Sequence, residues 1–263
     1  MTKIIDTNNN VAGSLAALKA DGIEAVIRYI STNTSGEKCV KPAEARSMAA
    51  AGIKLGLVFE VWGGTGNFQH GDINADTGRA HGAFARSWAA NVGAPPEAII
   101  WFAVDTDATD RQISQLVLPY FRAVKTTIGG AFKCGIYGCG AACQAALDSG
   151  VVDAAWLSNA MGWNGSRAFK ATNRWTLLQH LDTTLHGLSV DPDESAGPEY
   201  GAFIPYGGSI TVPPPTPAQT MGDAEWVQDK LNKLGATPPL TVDGDIGPMS
   251  IKAMRTYLES HAS

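Results

Sequence analysis

Apolar and polar positions along roughly the first 195 residues alternate between two periods. Short apolar runs occupy KIIDTN (3–8), AVIRYIS (25–31), KLGLVFEVWG (54–63), IIWFAVD (99–105) and KCGIYGCG (133–140). Each is short, bounded by turn residues, and followed by sequence with helical spacing. SLAALKADG and PAEARSMAAAG, after the first two runs, both end in glycine, a common helix stop. This alternation predicts an α/β fold with a parallel sheet. After AACQAALDSG it fails: AAWLSNA (154–160), RWTLLQHL (174–181) and GLSVD (187–191) are strand-like, yet only polar, Gly-rich or turn sequence separates them. Eight strands and five good helices predict a TIM-like (β/α) barrel with helices missing after the fifth strand. Their loss accounts for a length below the ~250 residues of a full eightfold barrel.

The pattern changes again after residue 196. GPEYGAFIPYGGSITVPPPTPAQT (197–220) is rich in Gly and Pro and reads as a semi-rigid linker. Beyond it, residues 221–263 predict a small all-α module. Trp226, Val227, Leu231 and Leu234 recur at helical spacing, Gly235 stops that helix, VDGDIGP turns, and Ile251, Met254, Tyr257 and Leu258 form a second apolar face. About forty residues build little stability alone. Such a module suits binding better than catalysis.

Composition narrows the classes. With 263 residues, 44% hydrophobic and 17% charged, the chain can bury one large core plus an appendage. A formal charge of −5 and the lack of a basic stripe argue against nucleic acid as partner. Of the four cysteines, Cys134, Cys139 and Cys143 follow C-x4-C-x3-C without a nearby histidine, and Cys39 stands apart. Reduced core thiols are expected, with no metal site and no cofactor. No apolar stretch approaches the ~20 residues of a membrane span, so no membrane insertion is expected. MTKIID enters a strand without a charged-then-apolar leader, so the chain is expected to be made in the cytoplasm without a signal peptide.

The candidate chemistry lies at the strand ends. The run 99–104 closes in DTDAT, and if the strand persists Asp105 and Asp107 share a face with α-carbons about 6.6 Å apart. One of them could cap the next helix, but Thr109 and Gln112 already supply a capping box. That leaves Asp107 without an obvious structural task. In a parallel barrel the working face is the carboxyl end of the strands. There the sequence places Asp6 on strand one, Glu60 on strand three, Asp105 with Asp107 on strand four, and Asp191 on strand eight, followed by Asp193 and Glu194. Converging carboxylates raise one another's pKa and are costly unless used. Glycosidic-bond hydrolysis uses such a set: one protonated carboxyl supplies the leaving oxygen with a proton, and an ionised one stabilises or attacks the sugar or activates water. Trp62, Tyr137, Trp156 and Trp163 could offer apolar faces to sugar rings, with plain core packing the competing account of each. Arg28, within strand two, is expected to pair with the acidic cluster.

IIDTN, VIRYIS, FAVDTD, GIYG, AWLSNA, LLQHL and SVDPD, in that order, resemble the glycoside hydrolase family 25 muramidases. They more closely resemble a related group of glycoside-hydrolase-like barrels long grouped as a domain of unknown function. The likeness spans residues 3–195. In family 25 an aspartate ends strand one, an Asp-x-Glu ends strand four and an aspartate ends strand eight, which implies roles here for Asp6, Asp105, Asp107 and Asp191. Asp107 stands where the family carries its general acid, a Glu, and is one methylene shorter. Glu60, acidic as in the related group, is the other candidate acid.

The C-terminal segment resembles the peptidoglycan-binding domain found beside cell-wall hydrolases. Gln228, Leu231, Gly235, Asp243, Gly244 and Gly247 match its pattern, whereas Ser250 and Thr256-Tyr257 depart from it. A wall-binding module tethered to a barrel raises the barrel's effective concentration at its polymer. Together the resemblances imply an endolysin-type, muramidase-like hydrolase of bacterial peptidoglycan, of phage or prophage origin, acting at the cell wall as a monomer. The competing reading is a non-catalytic wall-binding protein with a degenerate barrel, motivated by the Asp at the general-acid position.

Overall fold

The computed structural model describes residues 3–61, 66–206, 223–241 and 248–260. They form two compact units that divide near residue 215.

The first unit is an α/β barrel. Strands β1 (Lys3–Thr7), β2 (Ile23–Ile30), β3 (Lys54–Phe59), β4 (Ile99–Val104), β5 (Lys133–Gly138), β6 (Ala154–Leu157) and β7 (Leu177–Gln179) run parallel in that order. Helices α1 (Leu15–Ala20), α2 (Pro42–Ala50), α3 (Ala75–Asn91), α4 (110–128) and α5 (Gly140–Asp148) cover the outside after each of the first five strands. Helix α4 starts at the expected Thr109–Gln112 capping box. It widens into a π turn over Ile113–Val117 ahead of Pro119, whose ring cannot take an ordinary helical hydrogen bond.

After β6 comes a six-residue helix, α6 (Ser166–Ala171), held by the buried Phe169. With one apolar anchor it left no periodic signature, and none was expected there. No helix follows β7. The chain instead turns through β8 (Thr183–Leu185) and β9 (Leu188–Ser195), joined at His186 and Gly187 with φ of 50° and 80°. Two successive left-handed residues make a tight hairpin whose twist matches its strands. Consequently β9 runs antiparallel to β7 and to β1, closing the barrel between them. The expectation of an all-parallel sheet is corrected at this strand: a parallel return needs a crossover of a dozen or more residues. Closure pairs Asp6 directly with Asp191.

Two cores result from the period-two pleat. Outward side chains such as Val26, Leu57 and Phe102 meet the helices. Inward ones, among them Ile4, Ile27, Val58, Trp101, Trp156 and Leu177, fill the barrel. Gly135 makes room for Trp101, since a β-carbon there would stand 2.3 Å from the indole. The segment expected as linker from residue 197 belongs to the barrel as far as residue 206. Tyr200 joins the inner core, and Phe203 exchanges backbone hydrogen bonds of 2.7 and 2.9 Å with Leu55. Gly and Pro content signalled turns, but these two buried aromatics dock the segment. All four cysteines are buried thiols.

The second unit contains α7 (Asp223–Lys233) and α8 (Pro248–Ser260). Gln228 is buried and donates to Ser250 Oγ at 3.3 Å, so the motif glutamine and the departing serine join the two helices. Leu231 and Leu240 are buried, whereas Ile251 and Leu258, expected on an apolar face, are exposed. Trp226 is in α7 but its side chain is outside the described set, as are Asp243, Gly244 and Gly247. Among the described residues no helix is long and apolar enough to cross a membrane.

Candidate active site

Pleat parity decides which polar side chains enter the barrel. On β1 the inward positions are Ile4 and Asp6; on β2 they are Ala25, Ile27 and Tyr29. Val58 then Glu60 follow on β3, Ala103 then Asp105 on β4, and Trp156 then Ser158 on β6. At the carboxyl ends of the parallel strands the apolar filling therefore gives way to polar groups around a cleft of about 310 Å³. Glu60, Asp105 and Asp191 all line it, as do Tyr29, Tyr137, Trp156, Trp163 and Gln179. Acids from β3, β4 and β9 thus meet at one opening.

Asp6 is not in the wall of the cleft but beneath it, fully buried. Its Oδ1 accepts from Tyr29 Oη at 3.3 Å and its Oδ2 from Gln179 Nε2 at 2.9 Å. Gln179 is fixed at its other end, where its Oε1 accepts from Tyr137 Oη at 2.8 Å. Burial, and secondarily the charge of Asp191, push the Asp6 carboxyl up to about 8 despite those two hydrogen bonds. Asp193 is buried beside it and accepts from Trp156 Nε1 at 2.9 Å. Burial raises Asp193 well above the carboxylate range, with Asp6 the next cause.

Glu60 is buried at the cleft wall and forms an ion pair with Lys38, whose ammonium also lies 4.8 Å from the centre of the Tyr29 ring. Burial raises the Glu60 carboxyl and outweighs the opposing pull of Lys38. Asp191, half-buried, is raised by burial and then by Asp182 and Asp105. The loop that carries Lys38 is tied down by Lys41 and by Arg28, whose Nη2 donates to Glu37 O at 3.0 Å.

Two expected site residues are elsewhere. Arg28 has the opposite parity to Tyr29, so it faces the helix layer. There its Nε donates to Glu44 Oε1 at 2.7 Å and its Nη1 to Thr7 O at 2.6 Å. Its pairing with the acidic cluster is therefore corrected: the guanidinium joins β1, β2 and α2 and does not reach the cleft. Asp107 leaves the pleat because β4 ends at Val104, where Thr106 N turns back to Val104 O. Exposed, it accepts from Asn164 N at 2.6 Å, which is the structural task the sequence did not reveal. Trp62 lies outside the described residues. Tyr137, Trp156 and Trp163 reach the cleft as expected, although Trp156 is also a core residue, edge-on to Trp101 at 5.9 Å.

Sequence reasoning missed Tyr29, Lys38, Gln179 and the inward set of Asp193. The alternation of VIRYIS and the D-x-D spacing of 191–193 signalled Tyr29 and Asp193. Nothing local signalled Lys38, which arrives from a loop.

Residues 16–200 match the family described as Rv2525c-like, glycoside hydrolase-like domain. The chain belongs to the Rv2525c-like glycoside hydrolase-like family. The matched span holds Glu60, Asp105, Asp191 and Asp193, while Asp6 precedes it. The Rv2525c-like domain is similar to FadG of Bacillus subtilis (strain 168), 24% identical over 197 residues, 70% of this chain and 33% of the relative. The chain thus spans about a third of the length of that relative. A second relative is the Mycobacterium tuberculosis protein named "Putative peptidoglycan hydrolase Rv2525c", 23% identical over 71% of this chain and 78% of its own length. The crystal structure of the Tat-secreted Rv2525c protein with L-tartrate shares the fold, with a TM-score of 0.65, 21% identity, and coverage of 76% of this chain and 98% of that one.

Proposed function

We propose that the barrel is a peptidoglycan glycosidase of muramidase type, with the second unit as its wall-binding module. The observation that carries this reading is the meeting of Glu60, Asp105 and Asp191 from three strands at one cleft. The hydrolase named among the relatives supports the same polymer. Glu60 is the general acid: burial favours its protonated form, and its carboxyl is at the cleft wall where a leaving oxygen can reach it. Asp105 and Asp191 supply the negative charge that stabilises an oxocarbenium-like centre or activates water. Tyr137 and Trp163 border the cleft with apolar ring faces on which a sugar can pack. In the second unit, Leu231, Leu240, Met249 and Tyr257 border a groove of about 470 Å³ suited to holding the wall polymer. The proposed setting is an endolysin-type role at the bacterial cell wall, with the chain acting as a monomer.

The test is incubation of the full chain with purified peptidoglycan. Wild type should release new reducing ends and Glu60→Gln should not, while both still sediment with the wall. Release of free amino groups in place of reducing ends would make the chemistry that of an amidase or peptidase.

One observation favours a second reading, a wall-binding protein without turnover. Asp107, at the position of the family 25 acid, is engaged by a backbone N–H, and Glu60 is engaged by Lys38. Wild type inert on native and on deacetylated walls alike, yet still bound to them, would select that reading.

A further inference from the structure

Beneath the cleft two acids meet with no cation paired to either among the described residues. Asp6 on β1 and Asp193 on β9 are diagonal neighbours of the same pleat face, since Asp6 pairs with Asp191 and Ile4 with Asp193. Both are buried, at 0% and 6% exposure. Oδ1 of Asp193 accepts from the Trp156 indole, but its Oδ2 meets no N–H or O–H donor. The Asp6 carboxyl is its neighbour on this face and, after burial, the next cause that raises Asp193. Asp6 already accepts from Tyr29 and from Gln179, so both of its oxygens act as acceptors. Two ionised carboxylates cannot face one another in a buried site, because like charges at that range raise one proton affinity strongly.

We propose that Asp6 and Asp193 share one proton, carried on Asp193 Oδ2 and donated to Asp6, and that this makes Asp193 a positioning residue for the cleft. The proton stays within the pair: Asp193 is the neutral donor and Asp6 the ionised acceptor. A negative Asp6 then holds the Gln179 amide with its N–H inward, which turns Gln179 Oε1 toward Tyr137 Oη. Tyr137 is thereby set at the cleft wall. The remaining titratable and charged groups around the pair are Asp191 on the same strand, Tyr29 from β2 and Glu60 from β3, the last with Lys38 beyond it. Asp105 from β4 and Tyr137 from β5 complete the ring. Lys38 alone among these groups is a cation, and it is paired with Glu60, so nothing in the ring substitutes for the shared proton.

The placement of the proton stands on geometry; its effect on turnover rests on the glycosidase reading above. The discriminating variant is Asp193→Asn, whose amide keeps an acceptor for Trp156 and donates to Asp6 through a hydrogen that cannot titrate. Infrared spectra of the full chain carrying carboxyl-labelled aspartate should show a carboxylic-acid carbonyl band at neutral pH that disappears as the pH is raised. The band should be missing in Asp193→Asn. The Gln179 side-chain amide resonance should shift over the same range in wild type and stay fixed in the variant. Reducing-end release should fall on the alkaline side in wild type both as Glu60 ionises and as the pair loses its proton, and in the variant only as Glu60 ionises. No acid band at neutral pH in wild type, or a band unchanged in Asp193→Asn, overturns the proposal. Should the band and the Gln179 shift be present while wild type releases no reducing ends, the shared proton is upheld and the glycosidase reading fails.

Discussion

Adjacent residues of β2 open onto two buried sites of opposite character. Arg28 faces the helix layer and meets Glu44 in a fork of 2.7 and 3.3 Å, with two further hydrogens on two carbonyls. Charge there is matched one to one and each guanidinium nitrogen has an acceptor. Tyr29 faces the barrel, where Asp6, Glu60, Asp105, Asp191 and Asp193 gather and Lys38 pairs with Glu60. The matched pair joins strands to a helix. Burial raises the carboxyls of Asp6, Glu60, Asp191 and Asp193, and neighbouring acids add to the rise. A buried acid is therefore informative through its excess over cations, not through burial alone.

If that contrast holds, substitutions on the two sides separate activity from stability. Glu60→Gln is expected to lower reducing-end release by roughly 10²–10⁴-fold, the usual loss of a general acid, with an unchanged melting midpoint. Arg28→Ala should do the reverse. It strands Glu44 without its guanidinium and is expected to cost about 3–5 kcal/mol in urea unfolding, with activity per folded molecule retained.

The pH dependence of stability sharpens the same contrast. Asp6 is raised from 3.8 to about 8 in the fold and its buried neighbour Asp193 is raised with it, so the folded pair binds a proton that the unfolded chain has lost at neutral pH. Its contribution is present in full at acid pH and is lost as pH rises toward 8, at a slope of roughly 1.4 kcal/mol per pH unit for one proton. Urea titrations of the barrel across that range should show stability falling as pH rises. Lys38→Met is expected to have a smaller effect: with the opposing cation gone, Glu60 holds its proton to higher pH, and the activity profile should move in the alkaline direction. Asp107→Asn should change least. The amide oxygen can still accept from Asn164 N, stability should move by no more than about 0.5 kcal/mol, and a large loss of activity would return Asp107 to the candidate acids.

Much of the barrel was legible because its signals are local. Eight strands read as apolar runs, five helices ended at glycines or began at a capping box, and parity in VIRYIS and IIWFAVD separates inward from outward residues. The direction of β9 was legible in principle, since no crossover helix could be found between it and its neighbour, yet the sheet was expected to be parallel throughout. Arg28 was misplaced because charge complementarity was weighed above parity, and the partner that satisfies it, Glu44, is on a helix that sequence alone does not dock. Asp107 was misplaced because strand geometry was extended past Val104 into a turn. Lys38 and Gln179 were not legible at all: each acquires its partner through tertiary contact, across 22 residues for Lys38 and 173 for Gln179.

Mass spectrometry of the soluble fragments released from purified peptidoglycan tests the central claim most directly, because it reads bond and activity together. Wild type is expected to yield glycan fragments with intact peptide stems and new reducing ends, all lost in Glu60→Gln. Fragments cut within the stem peptide or at its junction to the sugar, or glycan fragments undiminished by Glu60→Gln, would contradict the account.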